Sequence, residues 1–188
     1  MREAREVEDI AIRSALQKAF GYEHFRGQQE TVIRTVLAGK HALVIMPTGM
    51  GKSLCFQIPA LIHGELRRSM LAAGPTDERV PLTLVLSPLI ALMKDQVDTL
   101  RRRKIDATFV NSSLSREQRT QRYRGIAGGQ YDLLYVTPER FRKGDFLDAL
   151  AKRHVALMAV DEAHCISEWG HDFRPDYTRV NEIRKKID

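Results

Sequence analysis

The sequence predicts an α/β fold: a mainly parallel β-sheet with helices on both faces. Short, nearly all-apolar runs recur along the chain, each followed by a segment with helical spacing, and this alternation builds parallel sheets covered on both sides. The first such run breaks into a glycine-rich turn that ends on Lys52-Ser53. At 188 residues and 43% hydrophobic content, the chain has room for one domain with a sizeable core. It shows no internal repeat, low-complexity segment or domain-scale linker.

Residues 7–20 place Ile10, Ile12, Leu16, Ala19 and Phe20 at helical spacing, with Gly21 as the stop, so residues 1–20 read as a lead-in helix. An aromatic-rich turn follows and runs into a second helix with Val32, Ile33, Val36 and Leu37 inward and Gly39 at its end. The run Ala-Leu-Val-Ile at 42–45 reads as the first buried strand, and a helix starts near Lys52. From 64 to 81 the apolar period gives way to Gly, Pro and charge, which reads as a surface loop insertion longer than an ordinary connection. Residues 82–86 restore a strand, and Ser87-Pro88 are placed to cap and open the helix behind it.

Arg101-Arg-Arg-Lys104 closes that helix, either as a solvated cap or as a phosphate contact. Strands are expected at 107–110, 131–136 and 155–160, with an Arg-rich helix from Ser115 to about Ala127, ended by Gly128-Gly129, and short helical material at 146–151.

The formal charge of +6 favours a polyanionic partner without naming one. Cys55 and Cys165 lie far apart with no C-x-x-C pairing, which argues against a disulfide framework or zinc site and fits packing thiols in a reducing compartment. No apolar stretch reaches the roughly 18 residues that span a bilayer. The first residues are too charged for a secretory signal, so a cytoplasmic (nucleoid) or nuclear location without a membrane partner is expected.

Chemistry concentrates at strand ends. Thr48-Gly49-Met50-Gly51-Lys52-Ser53 reads as a phosphate-cradling loop. Its glycines turn backbone N–H groups inward, Lys52 neutralises phosphate charge and the Ser53 hydroxyl can ligand Mg²⁺. Met46 stands where the strict pattern has glycine. Gln29 can read an adenine edge, with Tyr22 or Phe25 against the base; the alternative is a solvated helix glutamine, and the aromatics read equally as core. Asp161-Glu162 follows an apolar strand, and in a parallel sheet it shares one edge with the phosphate loop. Asp161 would hold Mg²⁺ and Glu162 would orient the attacking water. Alone, such a pair is more often a solvated turn. No Asn-Lys-x-Asp guanine motif is present, which disfavours a GTPase.

The motifs Phe20-Gly-Tyr-x-x-Phe-Arg-x-x-Gln29, Met46-Pro-Thr-Gly-x-Gly-Lys-Ser-Leu-Cys-x-Gln57 and Leu86-Ser-Pro-Leu-Ile-x-Leu-Met-Lys-Asp-Gln96 stand in order. They are followed by Thr137-Pro138-Glu139 and by Asp161-Glu-Ala-His-Cys-Ile-Ser-x-Trp-Gly-His-Asp-Phe-Arg-Pro-x-Tyr177. Together they resemble superfamily 2 helicases and, more closely, the RecQ family of DNA helicases. The resemblance implies a first RecA-like, P-loop motor lobe of a 3′→5′ ATP-dependent helicase of DNA repair and recombination.

By that resemblance Tyr22, Phe25, Arg26 and Gln29 receive adenine, the loop from Thr48 to Ser53 holds phosphate, and Ser53 and Asp161 hold Mg²⁺. Lys52, Asp161 and Glu162 serve hydrolysis, and His164 couples it to DNA. Ser87, Asn111, Ser112 and Thr137 would track a DNA backbone. Trp169, His171, Phe173 and Arg174 fall in the family's aromatic-rich loop, where Trp169 and Phe173 offer stacking faces and Arg174 a charge. Without the resemblance Trp169 reads as a core aromatic. The implied partners are single-stranded DNA, duplex junctions and a second RecA-like lobe with an arginine finger.

Gly27 stands where the family commonly has Pro, which is expected to loosen the turn before Gln29. The chain ends at Asp188, ahead of the family's Ser/Thr-Ala-Thr motif. Weak ATPase and no unwinding are therefore expected of the piece alone, and the alternative is a nucleotide and single-stranded DNA binding module without turnover.

Overall fold

The computed structural model describes residues 2–74, 78–167 and 175–187. Four strands, β1 (Pro81–Leu86), β2 (Ala107–Val110), β3 (Leu133–Val136) and β4 (His154–Val160), form one sheet in the order β2-β3-β1-β4. Every pairing is parallel, with Leu86 level with Val136 on one side and Val160 on the other. The C-terminal strand ends therefore share one edge.

Side-chain alternation along the strands splits the apolar residues into two cores. Val85, Ala107, Phe109, Leu133 and Tyr135 face one core. There they meet α3 (Leu54–Ala72), α4 (Ile90–Arg102), α2 (Gln29–Leu37) and α1 (Arg2–Ala15), whose last turn widens into a π-helical Leu16–Phe20. Leu82, Leu84, Leu86, Val110, Leu134 and Val136 face the other, under α5 (Arg116–Ala127), α6 (Gly144–Leu150) and α7 (Val180–Ile187). Helices thus cover both faces, and among the described residues none is long and apolar enough to cross a membrane.

Local chemistry accounts for several boundaries. Ser115 caps α5 through a reciprocal pair in which its Oγ accepts the Gln118 N–H and its own N–H donates to Gln118 Oε1. Gly21, at φ +73°, ends the π turn by donating its N–H to Gln17 O. Both cysteines are buried, with no disulfide between them.

Four expectations are corrected. Residues 41–47 form no strand: Leu43 and Ile45 are 86% and 89% exposed, and β4, paired only with β1 among the described strands, is half-buried through its apolar positions. Apolar, β-branched composition supplies propensity, but a strand exists only where a ladder partner is found. The first half of the expected surface insertion at 64–81 is helix, because α3 runs to Ala72. Its buried stripe there consists of Gly64 and Arg67 rather than aliphatic residues, so the apolar period vanishes while burial continues. Ser87 does not cap α4, whose first turn follows Leu89 with no side-chain cap. Ile10, expected inward, is 65% exposed, while Ile12 and Leu16 carry the contact.

Candidate nucleotide site

Glycines set the backbone around the site. Gly27 has φ +52°, a value closed to proline, so its place in the turn is a change of backbone geometry and not a mere loosening. The left-handed turn delivers Gln29 at the start of α2, where it is 1% exposed. Gln29 Oε1 accepts the Arg26 N–H at 2.8 Å, and its amide nitrogen donates to Met50 O at 2.9 Å and Gly51 O at 3.0 Å. Both amide protons therefore brace the glycine-rich loop, and the solvated-helix reading of Gln29 is excluded. A Cβ on Gly51 would lie 2.7 Å from Gln29 Nε2, so the brace requires glycine there.

The loop itself turns through Gly49 and Gly51, at φ +83° and +74°. Lys52 Nζ donates to Met46 O at 3.1 Å and Pro47 O at 3.5 Å, curling over its own loop at the mouth of α3. Ser53 makes no capping hydrogen bond through its side chain.

Beside the loop lies a cavity of about 350 Å³. Tyr22, Arg26, Gln29, Gly49, Met50 and Gly51 line it from the expected side. Tyr22 remains 44% exposed, as a base platform would, while Phe25 instead packs against the core. Thr48, Lys52 and Ser53 lie outside the cavity lining. The opposite wall comes from α4 and the residue after it, through Asp95, Gln96, Thr99 and Arg103. Sequence reading missed this wall, because the polar side of an amphipathic helix looks the same whether it meets water or a ligand.

Asp161 carries the ladder one residue beyond β4, donating its N–H to Leu86 O at 2.8 Å. Burial, then the adjacent Glu162 carboxylate, raise its pKa above the ordinary 3.8, opposed by the Glu162 N–H, the Gln96 amide and the Lys52 charge. Glu162 has φ 51° and ψ 45°, a left-handed conformation that costs a non-glycine residue about 1 kcal/mol. Its N–H donates to Asp161 Oδ1 at 3.0 Å, and its Oε2 lies 3.2 Å from His164 Nδ1. Tyr177 Oη donates to Asp161 O at 3.4 Å and is almost wholly buried.

Among the described residues no three His, Cys, Asp or Glu side chains gather into a metal cage. The donor set present, the Ser53 hydroxyl and one carboxylate, fits Mg²⁺, which is commonly held by one or two protein oxygens with phosphates and waters completing its shell.

The expected backbone-tracking residues divide. Ser87, Asn111 and Thr137 are 1%, 0% and 2% exposed, so their side chains do not stand on the surface, whereas Ser112 does. Asn111 Oδ1 is engaged locally, accepting from Ser113 N and Oγ. Ser87 Oγ and Thr137 Oγ1, on adjacent strand ends, are buried without a hydrogen-bond partner. Trp169, His171, Phe173 and Arg174 lie outside the described residues.

Residues 26–187, which hold the glycine-rich loop, its buried glutamine brace and the strand-end Asp161-Glu162, match a family model described as DEAD/DEAH box helicase. The chain belongs to that family. Within it, the chain is similar to RecQ-type DNA helicases. It is 46% identical over 178 residues to the ATP-dependent DNA helicase RecQ of Haemophilus influenzae, covering 95% of this chain and 26% of that protein. The RecQ of Bacillus subtilis is 43% identical, with 93% and 27% covered, and the rat ATP-dependent DNA helicase Q5 is 41% identical, with 94% and 17% covered. The helicase lobe thus spans about a quarter of the bacterial relatives. The crystal structure of a hypothetical ATP-dependent RNA helicase from Sulfolobus tokodaii shares the fold, with TM-score 0.60 at 20% identity over 94% of this chain and 45% of that one.

Proposed function

We propose that the chain is the ATP-binding motor lobe of a 3′→5′ DNA helicase, one half of an ATP site that drives movement along single-stranded DNA. The observation that carries this reading is the buried Gln29 amide, which donates to Met50 O and Gly51 O and so braces the glycine-rich loop beside the cavity that Gln29, Met50 and Gly51 line. The cavity receives the base, with Tyr22 as its face. The second lone pair of Gln29 Oε1 is left to accept the adenine amino group, since the first is used by Arg26.

Past Gly51 the phosphates meet the loop N–H groups, and Lys52 leaves its own loop carbonyls to bind them. Mg²⁺, held by Ser53 and Asp161, would supply charge neutralisation on the phosphate oxygens. Glu162 orients a water, and its contact with His164 links that step to the segment leading toward the DNA. The unpartnered hydroxyls of Ser87 and Thr137 mark where a DNA phosphate would draw them outward, and Ser112, Trp169, His171, Phe173 and Arg174 add the remaining contacts.

A second lobe would bring the arginine finger, whose absence lowers such hydrolysis by about 10³- to 10⁵-fold. Phosphate release from the chain, with and without single-stranded DNA and with Lys52→Ala as blank, tests this. Weak release above the blank supports half an ATP site, and release equal to the blank reduces the function to binding. Vigorous DNA-stimulated release from the monomer contradicts the need for a second lobe.

A further inference from the structure

The run Arg101-Arg-Arg-Lys104 is not one uniform patch. Arg101 Nε donates to Ala107 O at 2.8 Å, against β2, and Arg102 turns back to Thr99 Oγ1 at 3.0 Å. Arg103 does something different. Its Nη1 donates to Ala19 O at 2.9 Å, and its guanidinium carbon stands 5.3 Å from the centre of the Phe20 ring. Its backbone is fixed as well, because its N–H donates to Thr99 O and Leu100 O at the end of α4.

Ala19 and Phe20 close the π-helical turn, Gly21 reverses the chain, and Tyr22 and Arg26 follow as the cavity's outer wall. Arg103 and Phe20 line that same cavity, as do Gln96 and Thr99 of α4. One guanidinium therefore joins the two walls, across a seam that no backbone hydrogen bond crosses among the described residues.

We infer that Arg103 is a positioning residue for the nucleoside: it holds the turn that carries Tyr22 at the right distance from α4, and so sets affinity and selectivity for the base. This rests on the nucleotide reading of the same cavity. The joint lies on the base side of Gly51, away from Lys52, so its effect is confined to ligands that carry a nucleoside.

The test compares ATP with inorganic tripolyphosphate, each titrated with Mg²⁺ against the whole 188-residue chain, wild type and variants. An exposed guanidinium against a ring contributes about 0.5–1 kcal/mol, so Arg103→Ala weakens ATP binding about fivefold and leaves tripolyphosphate within about twofold. Arg103→Lys recovers more than half of the loss, because the ammonium still reaches the ring. Should Arg103→Ala fail to fold by circular dichroism, Phe20→Leu keeps core volume and removes the ring, with an ATP-selective loss of about threefold expected.

Unchanged ATP affinity in these variants, or equal loss for both ligands, overturns the inference. A wild-type chain that binds tripolyphosphate but gains nothing from the nucleoside overturns it too, while the phosphate-loop reading stands. A wild-type chain that binds neither overturns both.

Discussion

The two ends of the sheet are built on opposite principles. At the N-terminal strand ends, Arg67 is 3% exposed and donates to Asp132 Oδ1 at 2.7 Å, to Asp106 Oδ2 at 2.5 Å and to Gly129 O at 2.6 Å. Arg153, 1% exposed, donates to the carbonyls of Val80, Pro81, Ile126 and Tyr131. Burial, then the nearby Arg67 charge, pull its pKa down to about 10, and the four carbonyls hold the proton in place. Both guanidiniums are fully engaged, although Thr83 Oγ1 and His63 Nδ1 toward this end are buried without a partner.

At the C-terminal ends, Ser87 Oγ, Thr137 Oγ1 and Gln96 Oε1 are buried without one, Glu162 is left-handed and like charges adjoin at Asp161 and Glu162. Unsatisfied polarity is destabilising, and a ligand relieves it. One end therefore holds the lobe together and the other is held ready.

The largest effect separates them. Asp132→Ala leaves the buried Arg67 guanidinium only the exposed Asp106 carboxylate, and losing the buried partner of such a pair costs about 3–5 kcal/mol. Urea unfolding should show that loss while nucleotide affinity of the folded fraction is unchanged. A loss under about 1 kcal/mol would show that the network is not holding the base.

Gly64→Ala acts on the same network from α3. Its Cβ would stand 2.3 Å from Asp132 Oδ1, and relieving such an overlap costs about 1–3 kcal/mol. A neutral result by the same unfolding measurement would mean that Asp132 can shift without penalty.

At the other end the sign reverses. Thr137→Val removes an unpartnered buried hydroxyl at nearly constant shape and should stabilise the chain by up to about 1 kcal/mol while weakening single-stranded DNA binding. Destabilisation, read from the thermal midpoint, would mean the hydroxyl is satisfied in solution.

The smallest effect concerns pH. Burial, the largest influence on Asp132, raises its pKa above the ordinary 3.8 against the pull of Arg67 and Arg68. The folded chain then keeps this proton to higher pH than the unfolded chain, so just above pH 3.8 the residue's contribution to stability falls as pH rises. Asp132→Asn should flatten that slope in unfolding midpoints measured across the window, and an unchanged slope would assign it elsewhere.

These two ends also differed in how far the sequence disclosed them. The glycine-rich loop and Asp161-Glu162 stand out in the sequence because the chemistry proposed for them needs fixed residue types at fixed spacing, and the alternating apolar runs of β1 to β4 announced the parallel sheet. The base was not legible. Gly64 and Arg67 resemble loop residues until Asp106 and Asp132, far along the chain, supply the partners that keep α3 helical to Ala72.

The run at 42–45 misled in the opposite sense, since local propensity was present and a ladder was not. Likewise Ser87 had the chemistry of a cap, but its side chain is buried one strand from Thr137. The α4 wall, with Gln96 and Arg103, depended on which face of a helix meets the cavity, which no spacing rule reveals.

The division of labour is tested most directly by titrating the wild-type chain and Lys52→Ala with a fluorescent ATP analogue and Mg²⁺, with thermal midpoints of the ligand-free proteins measured alongside. Hydrogen bonds to a charged group contribute about 1.5–3 kcal/mol, so Lys52→Ala should weaken binding by roughly 10- to 100-fold while the midpoint stays within about 1 °C. Equal affinity in the two proteins, or a loss of affinity matched by a loss of fold, would contradict the account.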